Sequence, residues 1–338
     1  MNRVADQTRQ VPDEFALALR ELGLADSRPI FGEPLTGGVS SDIWRIDTAQ
    51  GPVCAKRALP KLRVAADWQA PIERNVYEAR WMQVAQQAVA GSAPRLLGQH
   101  RALGVLVMSY LPDHALWKQL LRDGLADAAT AAAVAGTLVR IHAYSAARPE
   151  MAADFPSQAI FYDIRLEPYL LATAKRHVDL AARLRELVRT TQSHALALVH
   201  GDVSPKNVLI GTPGPVLLDA ECAVWGDPAF DLAFCLNHLL LKCLLNPAAS
   251  DRFLACFAQL SRAYLSGVDW EPPARLEQRA AHLLPGLLLA RVDGKSPVEY
   301  VSEESQREQV RRVARRLLFD PPHRLLQIAA AWRQELER

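Results

Sequence analysis

The apolar positions of this chain change their period as it proceeds. Phe15, Leu19 and Leu22 recur at helical spacing behind Pro12-Asp13-Glu14, whose acids suit a first turn. The first ten or so residues are polar and are expected to fray. The period then shortens. Segments 30–35, 41–46 and 52–58 read as strands of a small antiparallel sheet, separated by turns rich in Gly and Asp. A helix is expected over 71–88, where Ile72, Val76, Ala79, Trp81 and Met82 interleave with charge. Segments 95–98 and 104–108 close the sheet, and 109–113 leads out of it, with Pro112 at the boundary. Helical spacing then takes over. Val134, Leu138 and Ile141 mark a helix over 127–143, segment 148–163 is irregular around Pro149 and Pro156, and leucines mark a helix over 167–192. The apolar runs 208–210 and 216–218 flank a Gly- and Pro-rich turn and form a hairpin. From residue 247 onward the pattern predicts four helices, broken at Pro272-Pro273, Gly294 and Pro321-Pro322.

Composition narrows the function classes. At 338 residues the chain can build two sizeable cores, and a net charge of +2 without long single-sign blocks leaves no nucleic-acid footprint. The Arg311–Arg316 run stands near Glu303, Glu304 and Glu308 and reads as a solvated helix face. The five cysteines show no metal-ligand spacing, which fits free buried thiols in a reducing compartment. The N-terminus lacks the apolar stretch of a secretory signal. The greasiest stretches, 232–245 and 283–290, are too short to span a bilayer, and Asn237, His238 and Lys242 interrupt the first. A cytoplasmic protein without a membrane partner is expected.

The chemistry concentrates in Leu198-Val199-His200-Gly201-Asp202-Val203-Ser204-Pro205-Lys206-Asn207 and in Val216-Leu217-Leu218-Asp219. Asp202 suits the orientation of an attacking hydroxyl. Asn207 and Asp219, at one end of the predicted hairpin, offer oxygen ligands for Mg²⁺. Downstream stands Gly226-Asp227-Pro228-Ala229-Phe230-Asp231-Leu232-Ala233. Together these segments resemble the aminoglycoside phosphotransferase and choline kinase-like small-molecule kinases over roughly residues 196–235. The resemblance implies an α+β, bilobal protein-kinase-like fold. A small antiparallel-sheet lobe over 1–110 would bind nucleotide, and a larger, mainly helical lobe over 111–338 would carry catalysis and acceptor binding. It implies ATP, with GTP as the alternative, and Mg²⁺ as cofactors. The implied reaction is transfer of the γ-phosphoryl group to a small-molecule hydroxyl. It also implies that backbone groups near Ser109 and Leu111 meet the adenine.

Further candidates follow from position. Gly37, Gly38, Ser40 and Ser41 lie between two strands, where bare backbone and small hydroxyls can approach phosphate. Lys56 ends an apolar strand run and suits the α- and β-phosphates, with Arg57 as competitor if the register slips. Glu78 is the expected partner of Lys56, and Glu73 the alternative. His200 is read as positioning the loop, and Lys206 as facing solvent in preference to phosphate. Glu221 stands evenly between metal or acceptor chemistry and a buried acceptor role. Asp227, before Pro228, reads as a helix cap. Asp231 is expected to accept from backbone amides of the catalytic loop. His142 reads as a residue interacting with a helix C-terminus, and Arg291, Asp293 and Lys295 as a charged helix end in preference to a pocket wall.

A protein kinase is disfavoured by the short gap from Asp219 to Gly226 and by the absence of an Ala-Pro-Glu element. A catalytically silent nucleotide-binding protein is the other alternative. The acceptor stays open among sugars, amino alcohols, hydroxy acids and aminoglycoside-like compounds, with no dense acidic cluster to favour a cationic one. No residue pattern sets the oligomeric state.

Overall fold

The computed structural model describes residues 8–35, 40–61 and 70–338. Gly37 and Gly38 lie outside the described residues. Six strands form one antiparallel sheet: β1 (Arg9–Gln10), β2 (Phe31–Pro34), β3 (Ser41–Thr48), β4 (Gly51–Ala58), β5 (Leu96–His100) and β6 (Val105–Ser109), in the order β1-β2-β3-β4-β6-β5. The expected strands are all present. One expectation fails: Arg9–Gln10 does not fray but pairs with Phe31 and Gly32, because Val11, just beyond, is buried in the same core.

The period-two alternation of the central strands sorts side chains between two cores. Val105 and Val107 of β6 pack with Phe15, Leu19 and Trp44 beneath helix Asp13–Glu21, whereas Leu106 and Met108 join Ala79, Trp81 and Met82 of helix Arg74–Ala88. Strand β4 obeys the same rule. Val53 and Ala55 face the first core, and Arg57 on that face reaches Glu14 at 2.7 Å. Lys56 therefore turns to the other face, toward helix Arg74–Ala88. A one-residue slip would exchange Lys56 with Arg57, but it would also evict Val53 from its core at roughly 1.5–3 kcal/mol.

The rest is mainly helical. Helix Ala229–Leu245 is its centre, with every residue but Leu245 buried, packed against Ser250–Ser266 and Pro273–Asp293. Glu304–Phe319 and Leu325–Leu336 complete the four helices expected after residue 247. Helix Ala128–Ala146 is capped by Asp127, which accepts from the amides of Ala129 and Thr130. His142 does not sit at its C-terminal end as expected. It is buried, with Nδ1 2.6 Å from the Tyr264 hydroxyl and Nε2 3.2 Å from Asp231.

Two other helix expectations need correction. Segment 148–163 contains a 3₁₀ helix, Pro149–Asp154, and the short helix Gln158–Phe161. Segment 167–192 is not one helix. Tyr162–Leu171 is wound as a π-helix around Pro168, which lacks an amide hydrogen. Ala172–Arg176 follows, and after a break at His177 the chain resumes as Ala181–Ser193.

Two ribbons hold the central motif. Ala197–Val199 pairs with Val224–Gly226, and Val208–Gly211 pairs with Gly214–Leu217. In the second, Val208 faces Leu217, and the Leu218 amide donates to the Asn207 carbonyl at 2.8 Å, so Asn207 and Asp219 emerge at one end. Gly201 turns the chain out of the first ribbon with φ 79°, and a Cβ there would stand 2.7 Å from the Cys222 carbonyl oxygen. Gly201→Ala should therefore cost roughly 2–4 kcal/mol, strain plus clash, in urea unfolding. Gly23→Ala, at φ 70° with no atom within 4 Å, should cost only about 1 kcal/mol. Equal losses at the two positions would show that the contact with Cys222 is not tight.

Candidate active site

The catalytic turn hangs from the start of the central helix. Buried Asp231 accepts from the His200 amide at 2.7 Å and the Gly201 amide at 2.8 Å, as expected. The ring of His200 is used on both sides. Its Nε2 donates to the Leu218 carbonyl at 3.0 Å, and Nδ1 accepts from the Asp202 amide at 3.1 Å. Burial lowers its pKa from the ordinary histidine value, which keeps this neutral tautomer, and the edge of Trp81 packs on it at 4.7 Å. His200 thus ties the turn to the hairpin and positions Asp202.

Among the described residues, one oxygen of the Asp202 carboxylate carries all its contacts. Oδ2 meets Arg165 Nη2 at 2.9 Å, Lys206 Nζ at 3.1 Å and Asn207 Nδ2 at 2.9 Å. Oδ1 is left for another donor. Burial alone would raise this carboxyl's pKa, but the Arg165 and Lys206 cations outweigh it and hold it below the usual carboxylate range. Lys206 was expected to face solvent. It is exposed along part of its length, yet its ammonium pairs with Asp202 because the short turn Pro205–Asn207 folds it back. Arg165 was not foreseen. It projects from the Tyr162–Leu171 segment, and its Nε donates to the Gly201 carbonyl at 2.6 Å. A charged residue between Ile164 and Leu166 was its only trace in the sequence.

The second half of the cleft collects carboxylates around Lys56. Asp219 has φ 65°, the left-handed region that a non-glycine residue enters at a cost of about 1–2 kcal/mol. It is the one such residue among those described. Lys56 Nζ contacts Asp219 Oδ1, donates to Glu78 at 2.8 and 2.9 Å, and lies 3.9 Å from Glu221. Burial would lower the lysine's pKa, but Asp219, Glu78 and Glu221 together raise it well above the ordinary value. Burial lifts Glu78 to about 7, against the pull of Lys56. Burial acts the same way on Asp219, but Lys56 and Lys206 prevail and hold it below the carboxylate range. Glu73 is exposed and takes no part.

Glu221, left open by the sequence, is half of a buried pair. Arg74 Nε donates to it at 3.0 Å, and the same guanidinium donates to the carbonyls of Ser40, Leu59, Ala70 and Pro71. Arg74 was also missed, because an arginine early in an amphipathic helix reads as surface. Oxygens of Glu78, Asp219 and Glu221 lie within 4.8 Å of one another. This hard-oxygen set suits a divalent cation such as Mg²⁺. Ser40 and Ser41 are buried at the edge of the Gly segment, and the Ser41 hydroxyl has no partner among the described residues. Ser109 ends β6, with its Oγ accepting from the Arg95 amide at 2.9 Å, and Leu111 lies half-buried beyond it. Asp227 accepts from the Ala229 amide at 3.0 Å and from Arg279, as a cap should. Asp293 pairs with His177 and Arg311, and Lys295 with Glu167, so both belong to a helix end. A cavity of about 400 Å³ between residues 89–92, helix Ala128–Ala146 and residues 213–215 lies apart from these groups.

A sequence profile of the phosphotransferase enzyme family matches residues 32–276. The chain belongs to that family. It is 23% identical over 266 residues to methylthioribose kinase 1 of Oryza sativa subsp. japonica, covering 70% of this chain and 61% of the relative. The chain thus spans less than two thirds of that relative's length. Among solved structures, amicoumacin kinase hAmiN in complex with AMP-PNP, Ca²⁺ and Ami superposes with a TM-score of 0.57 at 12% identity, covering 94% of this chain and 97% of that one. Choline kinase from Cryptosporidium parvum Iowa II gives 0.55 at 9% identity, covering 96% and 100%. Such low identities show the fold alone: it is bilobal and protein-kinase-like, as the resemblance implied.

The raised Glu78 predicts a pH effect. Unfolded glutamate releases its proton near pH 4.5, whereas folded Glu78 holds it to about 7. Its contribution to stability is therefore complete below the lower value and is lost as pH rises through the upper one. In urea unfolding of metal-free protein, the native chain should lose stability relative to Glu78→Gln across that window. Parallel curves would exclude a raised Glu78.

Proposed function

We propose that this chain is an ATP-dependent kinase that moves the γ-phosphoryl group to a hydroxyl of a small molecule. The observation that carries this is the single-oxygen clamp on Asp202, facing the cleft that holds the Lys56–Glu78–Asp219 cluster. Oδ1 orients the acceptor hydroxyl and takes its proton. The hydroxyl oxygen bonds to the γ-phosphorus, the bond from that phosphorus to the bridging oxygen breaks, and ADP leaves with the electron pair. Lys56, aimed by Glu78, holds the nucleotide phosphates together with the segment bearing Gly37, Gly38, Ser40 and Ser41. Asn207 and Asp219 hold Mg²⁺, which neutralises phosphate charge when bound. Backbone groups at Ser109 and Leu111 meet the adenine. The protein contributes positioning and preorganised charge.

The family profile and the relatives named for methylthioribose support a small-molecule acceptor. A protein substrate is disfavoured because Val224–Gly226 is paired into a ribbon, leaving no segment to dock a peptide between Asp219 and Gly226. No observation favours GTP. We divide the chain into a nucleotide lobe over 1–110 and a catalytic and acceptor lobe over 111–338. No helix among the described residues is long and apolar enough to cross a membrane, which accords with a cytoplasmic place.

Asp202→Ala should lower ADP release by roughly 10²–10⁴-fold while calorimetric titration still detects Mg-ATP binding. Near-normal turnover would refute the assignment. Asp219→Ala should instead remove the Mg²⁺ dependence of ATP affinity, and retention of that dependence would move the metal to Glu78 and Glu221.

A further inference from the structure

A second polar site adjoins the catalytic loop, and the inference drawn from it rests on the kinase function proposed above. Ser204 and Lys206 of the loop line a cavity of about 30 Å³ together with His238 and Lys242 of the central helix, Arg291 and Tyr300. His238 and Lys242 stand one turn apart on a helix that is otherwise almost wholly apolar. Ser204 Oγ, His238 Nε2, Arg291 Nε and Tyr300 Oη are buried with no partner among the described residues. Each such orphan is destabilising until something bonds to it.

The charges are unbalanced as well. Lys118, on the rim, is paired with Glu299, and Lys206 is shared with Asp202. Among the described residues Arg291 has only neutral partners, the Tyr169 hydroxyl at 3.1 Å and Ser296. Lys242 is 2% exposed and pairs with no carboxylate among the described residues; its ammonium lies 4.0 Å from the centre of the Tyr300 ring. Burial, with Lys118 adding to it and Glu299, which also lines the cavity, opposing it, pushes that ammonium down to about 8. A water molecule would satisfy the orphan hydroxyls but not two buried cations. An oxyanion satisfies both.

We propose that this cavity is an anion subsite of the acceptor: the molecule that offers its hydroxyl to Asp202 carries a carboxylate or a phosphate ester that docks on Lys242, Arg291, Ser204 and Tyr300. One small molecule can reach both places, because Lys206, which lines the cavity, meets Asp202 at 3.1 Å. Tyr169 also links the two sites, bonding Arg291 through its hydroxyl while Arg165, the partner of Asp202, lies 5.9 Å from its ring centre. The acceptor class is then a short hydroxy acid or a phosphorylated polyol, and a cationic amino alcohol is excluded.

The test uses the full chain with Mg-ADP present to fill the nucleotide site. Inorganic phosphate, malonate and choline are titrated separately, with melting temperature and calorimetry as readouts. Phosphate, malonate or both should bind and raise the melting temperature, and choline should do neither; the stronger anion identifies the headgroup. Lys242→Met should melt higher than the native chain without anion, because a lone buried charge is gone, and should bind the anion about tenfold or more weakly, the worth of one charge-assisted hydrogen bond. Tyr300→Phe, which removes only a hydroxyl, should weaken anion binding without lowering the melting temperature. The proposal is overturned if neither anion binds, if Lys242→Met binds as the native chain does, or if that variant melts lower. Failure of Mg-ADP itself to bind would sink the kinase assignment instead, and the anion titrations would still be read without it.

Discussion

The Asp231 carboxylate, wholly buried in the first turn of an apolar helix, is the constraint on which the catalytic side of the molecule depends. Two backbone amides of the His200–Gly201 turn and the ring of His142 satisfy it, and each bond to a buried charge is worth about 1.5–3 kcal/mol. The turn is therefore anchored to the rigid middle of the core. From there His200 reaches the hairpin carbonyl of Leu218, and the hairpin delivers Asn207 and Asp219. The chain of dependence runs from a packed helix to a fixed turn to a cleft with defined electrostatics.

Within that cleft, the protein keeps buried charges by matching them closely. Lys56 answers Glu78 and Asp219, Arg74 answers Glu221, and Arg165 with Lys206 answers Asp202. Desolvation of each ion costs several kcal/mol, so removing one member leaves an uncompensated charge. The contrast with Lys242 and Arg291 is what makes the neighbouring cavity informative. The same fold that pairs its other deeply buried cations gives these two no carboxylate partner among the described residues.

Much of this was legible in the residues themselves. The alternation Val53, Ala55, Arg57 against Cys54, Lys56 favours Lys56 over Arg57, and the strand pairing fixes that register. Glu78 was preferred to Glu73, and the structure pairs it with Lys56. The spacing from Asp202 to Asn207 to Asp219, with Asp231 beyond, is local enough to read. Arg165 and Arg74 were not legible, because each acts across more than thirty residues through backbone carbonyls that leave no side-chain pattern. The hydrogen bonds of His142 were missed for a related reason: its partner Tyr264 comes from a distant helix.

The widened Tyr162–Leu171 segment has a hereditary consequence. A π-wound stretch differs from an α-helix by little more than one inserted residue, and one residue turns a helix by about 100°. Loss of a single codon ahead of Arg165 would swing its guanidinium off Asp202 while leaving most of the helix packed. The clamp on that carboxylate thus depends on the length of this one widened turn.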